Sequence, residues 1–157
     1  MNLKKVTASL LTLATVAASP VAAFAQSARP TKIYQCNQII KIANEAVTEA
    51  KQVTNNGQAS DPVLMLRAAS AMDSAAASMA RVSITDQTLK GYQSRFISMY
   101  RQTSQADRNF ATAYNRGDRT AASSALRTLQ AATAPERQLV SDINNYCSGG
   151  TGRTNRL

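Results

Sequence analysis

Residues 89–113 read LKGYQSRFISMYRQTSQADRNFATA. Within them Leu89, Tyr92, Phe96, Met99, Thr103, Ala106, Phe110 and Ala113 recur at alternating spacings of three and four. That heptad places all eight on one stripe of a helix, and a stripe sustained for this length has to be covered by other helices. Ile84-Thr85-Asp86 opens the segment, with Thr85 as the expected cap and Ile84 stapling onto Leu89. Gly117 closes it.

The same periodicity extends outward in both directions. Toward the N-terminus, Met65, Ala68, Met72, Ala75, Met79 and Val82 follow Asp61-Pro62, where an aspartate caps the first free amides and a proline sits at the first helical position. The surrounding alanines make this helix slim, which favours close approach of its neighbours. Before it, Ile33, Cys36, Ile40, Ala43, Val47 and Ala50 predict a first helix that stops at Asn55-Asn56-Gly57. Toward the C-terminus, Asp118 caps a fourth helix with Ala122, Ala125, Leu129 and Ala132 inward. Pro135 interrupts it, either as a kink or as a stop and restart through a Thr133-Ala134-Pro135-Glu136 capping box. Leu139, Val140, Ile143, Tyr146 and Cys147 then resume the apolar face.

Four helices with short connections predict an all-α, antiparallel up-down-up-down four-helix bundle over residues 32–147. An even number of antiparallel helices returns the chain to its starting end, where Cys36 and Cys147 would meet as an end-to-end disulfide. No other cysteine is present, and there is no C-x-x-C pair to suggest thioredoxin-like redox chemistry or haem attachment.

Oxidation of that pair requires an oxidising compartment. Residues 1–25, MNLKKVTASLLTLATVAASPVAAFA, have the form of a cleaved secretory signal peptide. Lys4 and Lys5 form the positive start, Val6 to Val16 the apolar run, and Ala23-Phe24-Ala25 the cleavage site. Scattered Ser, Thr and Pro make the run too weak for a membrane anchor, so no transmembrane span is expected in the mature form. Residues 26–31 read as a polar leader and residues 148–157 as a disordered basic tail, and the expected location is periplasmic or extracellular. Gly149 to Thr154 superficially resembles a phosphate-binding loop but lacks the strand, helix and lysine that such a loop needs.

The full chain carries a net charge of +9, and loss of residues 1–25 removes two lysines and no acid, leaving +7. In an exported protein that charge does not call for nucleic acid; an acidic protein or an anionic envelope surface is the partner it suits. Arg95, Arg101, Arg108 and Arg116 on the third helix, with Arg119 and Arg127 on the fourth, form the expected cationic face. Histidine is absent, which excludes imidazole bases, Ser-His-Asp and Cys-His arrangements, and His-ligated metals within this chain. Glu45 and Glu49 stand four apart, but Lys41 before them makes a solvated charged face the economical reading. Met65, Met72 and Met79 at heptad spacing read as core filler, as do Tyr92, Phe96, Tyr100, Phe110 and Tyr114. Alanines opposite these rings can leave room for a small apolar ligand between helices three and four. The expectation is a non-enzymatic, cofactor-free interaction or structural protein, with carriage of a small apolar ligand as the alternative.

Overall fold

The structure is a computed structural model that describes residues 30–55 and 61–149. The signal-peptide reading, residues 26–29 of the leader, the Gly57 stop and residues 150–157 of the tail lie outside the described residues. Those described form five helices and no strand: α1 (Lys32–Val53), α2 (Pro62–Arg81), α3 (Gln87–Asn115), α4 (Arg119–Thr133) and α5 (Glu136–Cys147).

Each start has a visible cause. Thr31 accepts the Tyr34 N–H through its hydroxyl at the head of α1, and Asp61 accepts from Val63 and Leu64 at the head of α2, with Pro62 in the first turn. The cap of α3 is Asp86, one residue beyond the expected Thr85, because its carboxylate takes the Leu89 N–H at 2.9 Å. Thr85 is instead engaged by α1, as described below. Ile84 and Leu89 nevertheless share one buried cluster, as a staple would have them.

Between α3 and α4 the chain turns in two residues. Gly117 takes a left-handed φ of +69°, its N–H bonds to the Tyr114 carbonyl, and the Asp118 N–H reaches the Ala113 carbonyl. This pairing satisfies the last carbonyls of α3 in the Schellman arrangement. Asp118 then caps α4 by accepting from Ala121. At the end of α1 the left-handed residue among those described is Asn55, at φ 49°.

The expected fourth helix is two helices. Ala134 and Pro135 keep right-handed helical dihedrals, yet Pro135 has no N–H to continue the ladder, and α5 begins without any side-chain cap. The capping box does not form, since the Thr133 hydroxyl donates back to the Leu129 and Gln130 carbonyls. Glu136 stays out of the core.

Two clusters fill the interior. The larger, at the disulfide end, joins Cys36 and Ile39 of α1, Met72 and Met79 of α2, Leu89, Phe96, Met99 and Tyr100 of α3, and Leu139 and Ile143 of α5. The smaller joins Met65, Phe110 and Ala125, with Ala122 and Leu129 against it. The α1 stripe is turned by about one residue from the expected one: Gln35, Cys36, Ile39, Ala43 and Ala46 are buried, while Ile33 is 67% exposed. Two ties set that rotation, the bridge from Cys36 to Cys147, with Cα atoms 5.8 Å apart, and the inward Gln35 amide. Tyr92 and Tyr146 join α3 to α5 with ring centroids 6.0 Å apart, but Tyr114, expected in the core, is 56% exposed. Among the described residues no helix is long and apolar enough to cross a membrane.

Candidate functional site

The helices do not close evenly on one another. α3 packs extensively on both α2 and α4, α1 packs on α2, and α5 reaches back to α1 and α3; α1 has no comparable packing against α4. The proline break underlies this asymmetry. It lets α5 return to α1 at the disulfide, while α4 stays on α3 and stands away from the second half of α1.

A cleft of about 300 Å³ opens in the gap. Ala50 of α1 and its C-cap Thr54 form one wall, and Leu126, Leu129, Gln130 and Thr133 of α4 the other; Met65, Ala68 and Met72 of α2 and Thr103 and Asp107 of α3 make the floor. The floor coincides with the gap between the two apolar clusters, where α3 buries the polar run Thr103, Ser104 and Asp107. Small side chains on α2 supply the space, and the methionines, adaptable in shape, supply apolar contact.

Asp107 is the unusual member. It is 3% exposed, and among the described residues no donor reaches its carboxylate. Burial pushes the carboxyl up to about 7, against a smaller opposing pull from Arg108. Arg108 cannot serve it directly, because its guanidinium is committed to Asp73 on α2. That contact, helped by the Ser104 hydroxyl, holds the Asp73 carboxyl below its usual range. The Tyr100 hydroxyl, one heptad before Asp107, is fully buried with no partner among the described residues, and burial raises its ionisation above the ordinary tyrosine range.

The expected cationic face is divided. Arg108 pairs with Asp73 on the α2 side of α3, whereas Arg95 lies 3.6 Å from Asp142 on the α5 side. Arg101, Arg116, Arg119 and Arg127 are exposed. Arg116 and Arg119 flank the Gly117-Asp118 turn, and Arg101 lies about four turns back along α3 from that end.

The remaining candidates have structural roles. Glu45 pairs with Lys41 at 3.8 Å on an exposed face. Met65, Met72 and Met79 are buried in the two clusters, the first two also lining the cleft. Among the described residues no group of three or more His, Cys, Asp or Glu is placed to hold a metal ion. The sequence reading missed two residues, Gln35 and Asp107. Asp107 sits directly after Ala106 of the α3 heptad, and an acid one step from a core position was the available signal. No protein-family model matches this chain, and no curated protein or solved structure matches it either.

Proposed function

We propose that this chain is an exported, non-enzymatic helical bundle that binds a small, largely apolar ligand in the cleft between α1 and α4. The observation that carries the reading is the cleft itself, a concave site with a mostly apolar lining and a few convergent polar groups. Its volume is at the lower end of the range, about 300 Å³ upward, in which small-molecule sites fall. Export is supported by the form of residues 1–25 and by a disulfide, which persists in oxidising compartments. An up-down-up-down course is supported by three ties: Cys36 to Cys147, Gln35 to Thr85, and the Gln93 amide donating at 2.8 Å to the Met79 and Val82 carbonyls.

Native mass spectrometry of the exported protein tests these readings together. The expected mass corresponds to a chain starting at Gln26 with one intact disulfide, accompanied by a species carrying a small bound molecule. The Leu126→Trp variant, which places an indole at the half-open mouth, should lose that species while retaining its fold. Retention of the same ligand in this variant would refute the cleft as its site.

A second reading, docking on an acidic protein or anionic envelope surface, is favoured by the exposed Arg116 and Arg119 on either side of one tight turn. Such binding should weaken steeply with salt. Joint replacement of Arg116 and Arg119 by Gln should reduce it without altering ligand retention.

A further inference from the structure

The geometry points to a small organic cation, an ammonium group on a compact apolar body, as the ligand of the cleft, with Asp107 as its counter-ion. This assignment rests on the cleft being a ligand site, as proposed above. It starts from the mismatch between Asp107 and its surroundings. Among the described residues, those that α1, α2 and α4 bring to the cleft include no ionisable side chain. From α3 the charged group acting on Asp107 is Arg108, which is turned onto Asp73. The carboxyl is therefore the sole charged group among the lining residues described, 3% exposed and without a donor.

A buried carboxylate without donors is costly, and the cost falls when a partner supplies both hydrogen bonds and opposite charge. An ammonium group does both, with up to three N–H donors and a charge whose attraction to the carboxylate is strengthened in low-dielectric surroundings. Its apolar body would take the contacts that Met65, Ala68, Met72 and Leu129 leave open. An anionic ligand would meet Asp107 with like charge. A long polyamine would bring further charges into walls that cannot pair them. The cleft volume and its single acid thus select a monoamine of about one ring in size. The chain's net positive charge does not oppose this, since exposed arginines act through water and are screened within about 8 Å at physiological salt.

The pH dependence follows from the same site. Asp107 must be ionised to pair, and burial moves its carboxyl to about 7. Binding of an amine should therefore strengthen as pH rises through that value, while a neutral ligand of equal shape should show no such gain.

Two probes of nearly identical shape, 2-phenylethylamine and 2-phenylethanol, separate charge from fit in a titration of the oxidised protein followed by NMR. At about pH 8 the amine is expected to bind at least about ten-fold more tightly than the alcohol, the scale of one charge-assisted hydrogen bond. The preference should shrink at about pH 5.5, where Asp107 is protonated. In Asp107→Asn it should vanish, with alcohol binding retained. Equal affinities in the wild-type protein, or an undiminished preference in Asp107→Asn, would overturn the cation assignment and leave the cleft standing as a neutral site. Failure of both probes to shift cleft resonances would overturn the assignment together with the reading beneath it.

Discussion

Gln35 accepts the Thr85 backbone N–H at 2.6 Å through its side-chain oxygen, and the same oxygen accepts from Asp86 at 3.2 Å. Its amide nitrogen donates to the Pro30 carbonyl at 2.7 Å and to the Thr85 hydroxyl at 3.1 Å. One side chain, 2% exposed, thus uses both of its polar atoms to fasten the first turn of α1 to the connection between α2 and α3. Gln35→Ala would strip acceptors from two backbone amides, each costing about 1–3 kcal/mol if left unsatisfied. The expected result is a loss of several kcal/mol in chemical denaturation. Gln35→Glu keeps the acceptor and, when protonated, a donor for the Pro30 carbonyl, so it should lose less in mild acid. Equal losses for the two variants would show that the Thr85 contact is not what matters.

The disulfide closes a loop with a sequence separation of 111 residues. The chain-entropy model assigns such a loop roughly 4–5 kcal/mol, an upper figure because native-state strain reduces it. Cys36→Ser should lower the melting temperature substantially while far-ultraviolet circular dichroism still reports helix, since α1 to α4 retain their caps and every helix its apolar face. An unchanged melting temperature would contradict a stabilising role.

Helix positions were legible because they depend on local rules, and the cysteine pair because the chain has only two cysteines to join. Heptad spacing, Asp61-Pro62 and Gly117-Asp118 each determine structure within a few residues of themselves. What escaped depends on distant partners. Gln35 turned inward because the amides of Thr85 and Asp86 stand 50 and 51 residues away in sequence. The same engagement of Thr85 moved the α3 cap to Asp86 and rotated the buried stripe of α1. Ligand space was expected between the third and fourth helices opposite aromatic rings, but the cleft lies between α1 and α4 with no ring among its described lining residues; its location depends on α4 and α5 parting at Pro135, and its acid had no sequence partner to reveal it. The arginines were read from helical phase alone, which says nothing of Asp73 and Asp142 on neighbouring helices.

Asp86 both caps α3 and accepts the Tyr146 hydroxyl at 2.8 Å. The Leu89 N–H is the main reason its carboxyl ionises below the usual range, with Tyr146 and Lys32 adding to it. A lowered folded value means that its contribution is present above the unfolded value, about 3.9, and is lost as pH falls through the folded one. Asp86→Ala should cost about 1–2 kcal/mol at pH 7, the usual range for an N-cap. In acid the difference between variant and wild type should narrow. A constant difference down to the acid limit would assign the loss to packing instead.

Asp107 has the opposite sign. Its folded value, about 7, lies above the unfolded value near 3.9, so the native state holds a proton that the unfolded chain releases between those limits. Stability contributed by this group is greatest below about pH 4, declines as pH rises toward 7, and stays low above it. The interval between those two values corresponds to roughly 4 kcal/mol at most. Asp107→Asn carries a neutral amide in the same shape and has no ionisation to penalise. It should therefore be more stable than wild type at pH 8, close to wild type at pH 4, and nearly flat in between where the parent slopes. Urea denaturation at a series of pH values measures both curves, and a wild-type slope that survives the substitution would place its titrating group elsewhere. Adding the same concentration of amine at pH 8 should raise wild-type stability by more than that of Asp107→Asn, because the ammonium pairs with the charge that the asparagine lacks.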